Sequence, residues 1–209
     1  MAEPRLPVTP AKRAMDVGLA LLLTALLALP FALLLLWLLL CQGRPLFHLS
    51  ERMQAPGRSF RLWKLRTMRP DPADSGVSGG DKAARITPAG RFLRRTRLDE
   101  VPQLWNVLRG EMSFVGPRPP LRTYVERFPD LYARVLRARP GITGLATLRF
   151  HRHEERLLAR CRTAAETDAL YARVCVPRKA RLDLIYQRRR TLCLDLVLLA
   201  QTLARVFGR

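Results

Sequence analysis

Cysteine is scarce and scattered. Cys41, Cys161, Cys175 and Cys193 form no CxxC pair. That spacing argues against a zinc site and against a disulfide framework, and it fits a reducing compartment. Acidic residues are also few: 17 Asp and Glu stand against 37 Lys and Arg, a formal net charge of +20. This imbalance predicts an anionic partner, whether nucleic acid, anionic lipid or a phosphorylated substrate. A disordered basic tail is excluded as its source, because 48% of the residues are apolar and such tails lack that hydrophobic content. Histidine is rare. His151 and His153 form a His-x-His with no further ligand at useful spacing, which reads as a solvated helix start rather than a metal site. At 209 residues the chain has room for one modest soluble domain and an anchor.

What the sequence does have is one long apolar run. Residues 17–41 carry no charge over 25 positions, about 37 Å as a straight helix and enough to cross a bilayer. The run is too long for a signal peptide's apolar segment, and no small-residue cleavage site follows it. Pro30 lies near its middle and should bend it. Both flanks are basic, with Lys12 and Arg13 before and Arg44, Arg52 and Arg58 after. Cytoplasmic flanks favour Lys and Arg, so these residues leave two topologies open: a spanning helix, and a re-entrant one that returns to the same face. Asp16 borders the run and is expected to pair with Arg13 at headgroup depth.

Residues 59–68 alternate apolar and polar, with Phe60, Leu62 and Leu65 against Arg61, Lys64 and Arg66. The pattern predicts a strand with a basic face, and Lys64 and Arg66 are candidates to line an anion-binding groove. Residues 69–84, with Pro70, Pro72, Gly76, Gly79 and Gly80, predict a mobile loop. Thr87 and Pro88 then suit the N-cap and first position of a helix running to about Arg95.

The richest stretch is 98–119. Asp99 and Glu100 are adjacent carboxylates at the head of a short helix predicted through Leu108, with Asp99 as N-cap or first-turn residue and Pro102 tolerated in the first turn. An isolated Asp-Glu there would be helix capping and nothing more. This pair has companions: an apolar stripe of Val101, Leu104, Val107 and Leu108, a stop at Gly110, and a rigid Gly-Pro-Arg-Pro turn that holds Arg118. A fixed guanidinium beside two carboxylates suits metal-assisted phosphoryl chemistry, one carboxylate for the metal and the other as nucleophile or base.

The run 98–119 resembles the core signature of the bacterial sugar transferases, the monotopic phosphoglycosyl transferases. So do Lys12-Arg13-x-x-Asp16 before an apolar run with a mid-helix proline, Lys64-x-Arg66-Thr67-Met68, and Arg139-Pro-Gly-Ile-Thr-Gly144. The resemblance implies an α/β fold, mostly helical with a small sheet. It implies a re-entrant helix-break-helix over 12–43 with the break at Pro30, staying on the cytoplasmic leaflet. It further implies transfer of a sugar-1-phosphate from a UDP-sugar to polyprenol (undecaprenyl) phosphate, the first membrane step of glycan or exopolysaccharide assembly. By resemblance Asp99 is the nucleophile and carries the phosphosugar covalently as UMP leaves, Glu100 binds Mg²⁺, and Arg118 holds phosphate. Lys64, Arg66 and Arg97 are further candidates for phosphate or headgroup contacts. After Gly144 the sequence reads Leu-Ala-Thr-Leu-Arg-Phe-His where the family often has Trp-Ala-Gln-x-x-Gly-Arg, which suggests a different sugar preference.

The expected organisation is a tail over 1–11, the membrane helix, a cytosolic catalytic domain over 44–191, and a C-terminal helix over 192–209. Residues 124–138 and 157–174 have helical spacing. The last segment is strongly apolar but carries Asp195, Gln201 and Arg205. Two readings suit it: a helix lying in the interface near anionic headgroups, and a buried helix of the soluble domain. The localisation implied is the cytoplasmic face of a bacterial inner membrane, and an oligomer is compatible with all of this. Two non-enzyme readings remain beside it. One is a membrane-tethered basic nucleic-acid binder, for which no recognisable motif is present, so no nucleic-acid partner is expected. The other is a scaffold holding polyprenol phosphate.

Overall fold

The computed structural model describes residues 6–72 and 76–207. Helices dominate. The first, α1 (Pro10–Gln42), is capped by Thr9, whose hydroxyl accepts from Lys12 N, with Pro10 in the first turn. At 33 residues it would be about 50 Å long if straight. No residue leaves the helix at Pro30, so the expected helix-break-helix is not an interruption of secondary structure. Pro30 removes one main-chain hydrogen bond, and the neighbouring turns supply the rest.

The two ends of α1 are fastened to the same domain, and its middle is not. Near the start, Leu19, Ala20 and Leu23 join an apolar cluster with Phe60, Leu104, Phe114 and Leu198. Near the end, Phe31, Leu34, Leu35 and Leu38 pack with Leu65, Ala89 and Leu93. Between them Leu26 and Leu29 are exposed, Leu29 by 71%, and Leu22, Leu33, Leu36 and Leu40 on the outer face of the fastened stretches are exposed as well. Bare leucines at that density are stable only against another apolar phase. This helix alone among the described residues is long and apolar enough to cross a membrane.

Polar clips set the angle of α1. Asp16 is fully buried and accepts from Ser113 Oγ at 3.0 Å and from Phe114 N at 3.1 Å. The expected Asp16–Arg13 pair is replaced. Arg13 donates instead to the carbonyls of Val107 and Leu108, both at 2.7 Å, because the exposed carbonyls at the end of a short helix need donors. Lys12 reaches Asp195 at 2.6 Å, and Asp195 also accepts from Tyr186 Oη at 2.7 Å. Asp195→Ala would strand a largely buried ammonium. We expect a loss of about 3 kcal/mol, read by denaturant unfolding of the detergent-solubilised protein; a loss below about 0.5 kcal/mol would show that this clip holds nothing.

An antiparallel ribbon follows, β1 (Phe47–Ala55) with β2 (Arg58–Leu65), with Lys64 opposite His48. Of the loop expected over 69–84, residues 73–75 lie outside the described residues. Its end forms a 3₁₀ turn, Gly80–Arg85, in which Asp81 accepts from Thr167 Oγ1 at 2.8 Å. Helix α2 (Pro88–Thr96) has the expected Thr87 cap, accepting from Gly90 N at 2.9 Å.

Beyond it come a 3₁₀ turn (Leu98–Glu100) and α3 (Gln103–Leu108). The single helix expected from Asp99 is thus divided, and Asp99 is not its N-cap. Pro102 has no N–H to continue the ladder, so α3 starts after it. Strand β3 (Ser113–Val115) pairs in parallel with β4 (Gly141–Thr143). Between them lie α4 (Arg122–Arg127) and α5 (Pro129–Val135), one predicted helix cut at Pro129. Four more helices complete the chain: α6 (Leu145–Leu158), α7 (Ala164–Leu170), α8 (Val176–Arg189) and α9 (Leu192–Phe207). A π-helical turn, Tyr171–Cys175, joins α7 to α8. Helix α9 settles between the two readings made of it. Leu198 and Asp195 face inward, while Leu196, Val197 and Leu203 are exposed.

Candidate active site

Asp99 and Glu100 reach their positions through a strained residue. Arg97, between α2 and the 3₁₀ turn, has φ 61°, the left-handed region that side chains with a Cβ seldom adopt. Such strain costs of order 1 kcal/mol and persists where the surroundings demand it. Here it reverses the chain after α2 and lays the carboxylate pair on the floor of a cavity of about 770 Å³.

Glu100 is the electrostatic hub. Its Oε1 accepts from Arg118 Nη2 at 2.6 Å and Lys64 Nζ at 3.0 Å, with Arg97 Nη1 at 3.7 Å. Burial alone would push this carboxyl up, but Arg118, Lys64 and Arg97 together hold it well below the usual carboxylate range. In return Glu100 stabilises the charge on Arg118. For Lys64 burial wins, and its ammonium titrates below the ordinary value despite Glu100.

Asp99 is the opposite case. It is 7% exposed, and its Oδ1 is buried without a hydrogen-bond partner. Burial, with Glu100 adding repulsion, pushes its carboxyl up against the pull of Lys64. A carboxylate without hydrogen bonds keeps its lone pairs available to an electrophile.

The Gly-Pro-Arg-Pro turn fixes Arg118 through contact of backbone on backbone. Gly116 N donates to Thr143 O at 2.9 Å, and Gly141 N donates to Pro117 O at 2.8 Å. A Cβ on Gly116 would lie 2.2 Å from Arg139 O. Lys64 is aimed by β2, which α3 grips through Asn106: its Oδ1 accepts from Trp63 N, and its amide donates to Arg61 O.

Thus Asp99, Glu100, Arg118, Lys64 and Arg97 converge. Arg66 does not join them. It borders the same cavity, but its Nη2 donates to the carbonyls of Gln42 and Gly43 at 2.7 and 2.9 Å. It caps the end of α1, whose last carbonyls lack partners within the helix.

Several residues of the cavity wall were not assigned to the site from the sequence. Arg52 of β1 lies there with its Nε buried and unpartnered, and burial followed by Arg118's repulsion lowers its guanidinium to about 10. His151 is not at a solvated helix start. It is in the middle of α6 on the cavity wall, and burial, then Arg97 and Arg118, lower its imidazole to about 3. From α6 the wall takes Thr147, His151, Glu154 and Leu158, and from α8 it takes Lys179 and Asp183. Both sets follow helical spacing of three and four, a signal that would have grouped them.

A second cavity of about 710 Å³ is almost wholly apolar and lies between α1 and α2, lined by Pro30, Phe31, Trp37 and Phe92 among others. Its lining includes Leu98 and Val101, the residues that bracket the carboxylate pair.

The donor set fits a hard divalent cation. Asp99 Oδ1 is unpartnered, and the three cations engage only Oε1 of Glu100. No group of three or more acidic, His or Cys side chains gathers among the described residues. Mg²⁺ commonly binds through one or two carboxylates, filling its other positions with substrate phosphate and water.

Comparison with known proteins gives a consistent result. The model of the family described as bacterial sugar transferase matches residues 8–209. A UDP-glucose:undecaprenyl-phosphate glucose-1-phosphate transferase of Caulobacter vibrioides is 44% identical over 174 residues, 79% of this chain and 64% of that one. The Escherichia coli K12 protein of the same name is 36% identical over 166 residues, covering 78% of this chain but 36% of its own. A putative undecaprenyl-phosphate N-acetylgalactosaminyl 1-phosphate transferase of Bacillus subtilis is 41% identical over 120 residues, 57% of this chain and 67% of that one. The chain therefore spans about two thirds or less of these relatives.

Proposed function

The chain belongs to the bacterial sugar transferase family, and on that premise we propose that it transfers a sugar-1-phosphate from a UDP-sugar to polyprenol phosphate at the cytoplasmic face of a membrane. The observation that carries this reading is the buried Asp99 carboxylate, unpartnered at Oδ1, beside a carboxylate that gathers three cations.

An Asp99 oxygen attacks the β-phosphorus of the donor. The bond from that phosphorus to the bridging oxygen breaks, UMP leaves with the electron pair, and an aspartyl phosphosugar remains. A phosphate oxygen of the polyprenol phosphate then attacks the same phosphorus, and the Asp99 carboxylate is the leaving group. Arg118, Lys64 and Arg97 are placed to neutralise the diphosphate in a partly desolvated site, where their charges act strongly. Glu100 would hold a Mg²⁺ ion, which supplies further neutralisation of the phosphate oxygens. The neutral His151 adds no competing charge. The apolar cavity between α1 and α2 suits the polyprenyl tail, and its lining residues Leu98 and Val101 flank the Asp99–Glu100 pair in the chain. Both ends of α1 rest on one domain, which supports a re-entrant helix.

The test is the nucleotide released when the purified protein meets Mg²⁺, polyprenol phosphate and a panel of UDP-sugars. UMP is expected, and only from donors the site accepts. UDP would mean glycosyl transfer without the phosphate and would overturn the mechanism. No release from any donor would favour a scaffold that merely holds the lipid.

A further inference from the structure

The cavity is chemically uneven. Its arginine-rich end surrounds Glu100. Its other end, between α6 and α8, mixes acceptors and donors. There Lys179 Nζ donates to Glu154 Oε1 at 2.9 Å and to Tyr171 Oη at 3.2 Å, so the ammonium, a carboxylate and a phenol form one patch. Asp183 stands one helical turn from Lys179. It is 6% exposed and lies on the cavity wall. Its carboxyl is pushed up to about 7 by burial, with only Lys179 pulling the other way.

A carboxyl on a cavity wall keeps acceptor oxygens that a bound ligand can meet. The packing of α6 on α8 explains the Lys179–Glu154 pair but not Asp183. The patch offers little net charge, so it suits a neutral polar group better than a phosphate. Carboxyl oxygens that accept, alternating with an ammonium that donates, match the paired donor and acceptor character of neighbouring hydroxyls. The two ends belong to one cavity, whose lining includes both Arg118 and Glu154. A group bonded to a phosphate held by Arg118 therefore lies in the same cavity as Glu154.

We propose that Glu154, Tyr171, Lys179 and Asp183 form the subsite for the donor's hexose, and that Asp183 sets which sugar is preferred. This rests on the phosphosugar-transfer reading above. The π-helical turn that carries Tyr171 fits this role, because such turns recur where a side chain is placed for function.

The experiment uses the full chain with Mg²⁺ and polyprenol phosphate. The best donor is identified by UMP release. kcat/KM is then measured for it, for its C4 epimer and for its 2-acetamido counterpart, with unliganded UDP as a competitive inhibitor. Asp183→Asn keeps the shape of the side chain and removes its charge. It should lower kcat/KM for the best donor ~10-fold or more and change the ratio between donors, while UDP inhibits as before. Tyr171→Phe, which deletes one hydroxyl, should shift the same ratio more weakly without loss of thermal stability. An unchanged donor ratio in both variants overturns the proposal. So does a matching loss of UDP inhibition, which would assign this end to the nucleoside. Failure of the unaltered protein to release UMP from any donor is a different result: it removes the parent reading, and this subsite with it.

Discussion

Asp99→Asn should abolish turnover, by roughly 10³-fold or more, in a protein that folds as before. The expectation has two independent grounds. Chemically, an amide is too poor a nucleophile to open a phosphoanhydride, and no neighbour can substitute, because Glu100 Oε1 is held by Arg118, Lys64 and Arg97. Structurally, nothing is lost. Asp99 Oδ1 has no hydrogen-bond partner to forfeit, and burial already disfavours the charge there. Thermal midpoints of the two proteins should agree or favour the variant slightly. UMP release at the unaltered rate from Asp99→Asn would remove this residue from the nucleophile's role, and a folded, inactive variant would support it.

The second large effect belongs to a residue that touches no substrate. In Gly116→Ala the new methyl would stand 2.2 Å from Arg139 O and 3.0 Å from Gly141 N. The crowding is mutual: a Cβ on Gly141 would meet Gly116 N at 2.2 Å, and one on Gly144 would meet Gly116 O at 2.2 Å. Main chain cannot rotate aside as a long side chain can, so β3 and β4 must part. We expect a loss of about 3 kcal/mol in unfolding free energy. Arg118 lies two residues beyond, so kcat/KM should fall ~10²-fold even where the variant is fully folded, since misplacement by about 1 Å is enough. Gly18, with nothing within 4 Å of its ideal Cβ, is the control: alanine there should be neutral or better for stability. Equal behaviour of the two alanine variants would show that the close approach of the backbones is not what aims Arg118.

Local chemistry was the legible part of the sequence. The Thr87 cap and Pro88 start of α2, the alternation of β2, and the uncharged run of α1 each depend on neighbours in the chain, and each appears close to where it was expected. The structure also brings Asp99, Glu100, Arg118, Lys64 and Arg97 into one cluster. What failed depended on contacts between distant segments. Asp16 and Arg13 were paired because they are close in sequence, yet each finds its partner some hundred residues away, in β3 and at the end of α3. Arg66 looked like an anion ligand because its strand face is basic. The unsatisfied carbonyls that claim it belong to another element. Strands β3 and β4 are three residues each, too short for any periodicity. Glu154, Lys179 and Asp183 carried a usable helical signal, but only their shared cavity gives it meaning.

Glu100 has one further consequence. Three cations drawn to a single oxygen would repel one another if it were taken away, so in the resting protein this carboxylate serves as the site's resident counter-ion. An incoming diphosphate brings the same kind of charge to the same guanidinium and ammonium groups, and each contact it makes loosens their hold on Glu100. A carboxylate released in this way is free to turn to a divalent ion. On the proposed mechanism, donor and metal would then help each other to bind, by thermodynamic linkage to equal degree. The protein would hold neither firmly alone, and its reactive aspartate would face an electrophile only when both had arrived.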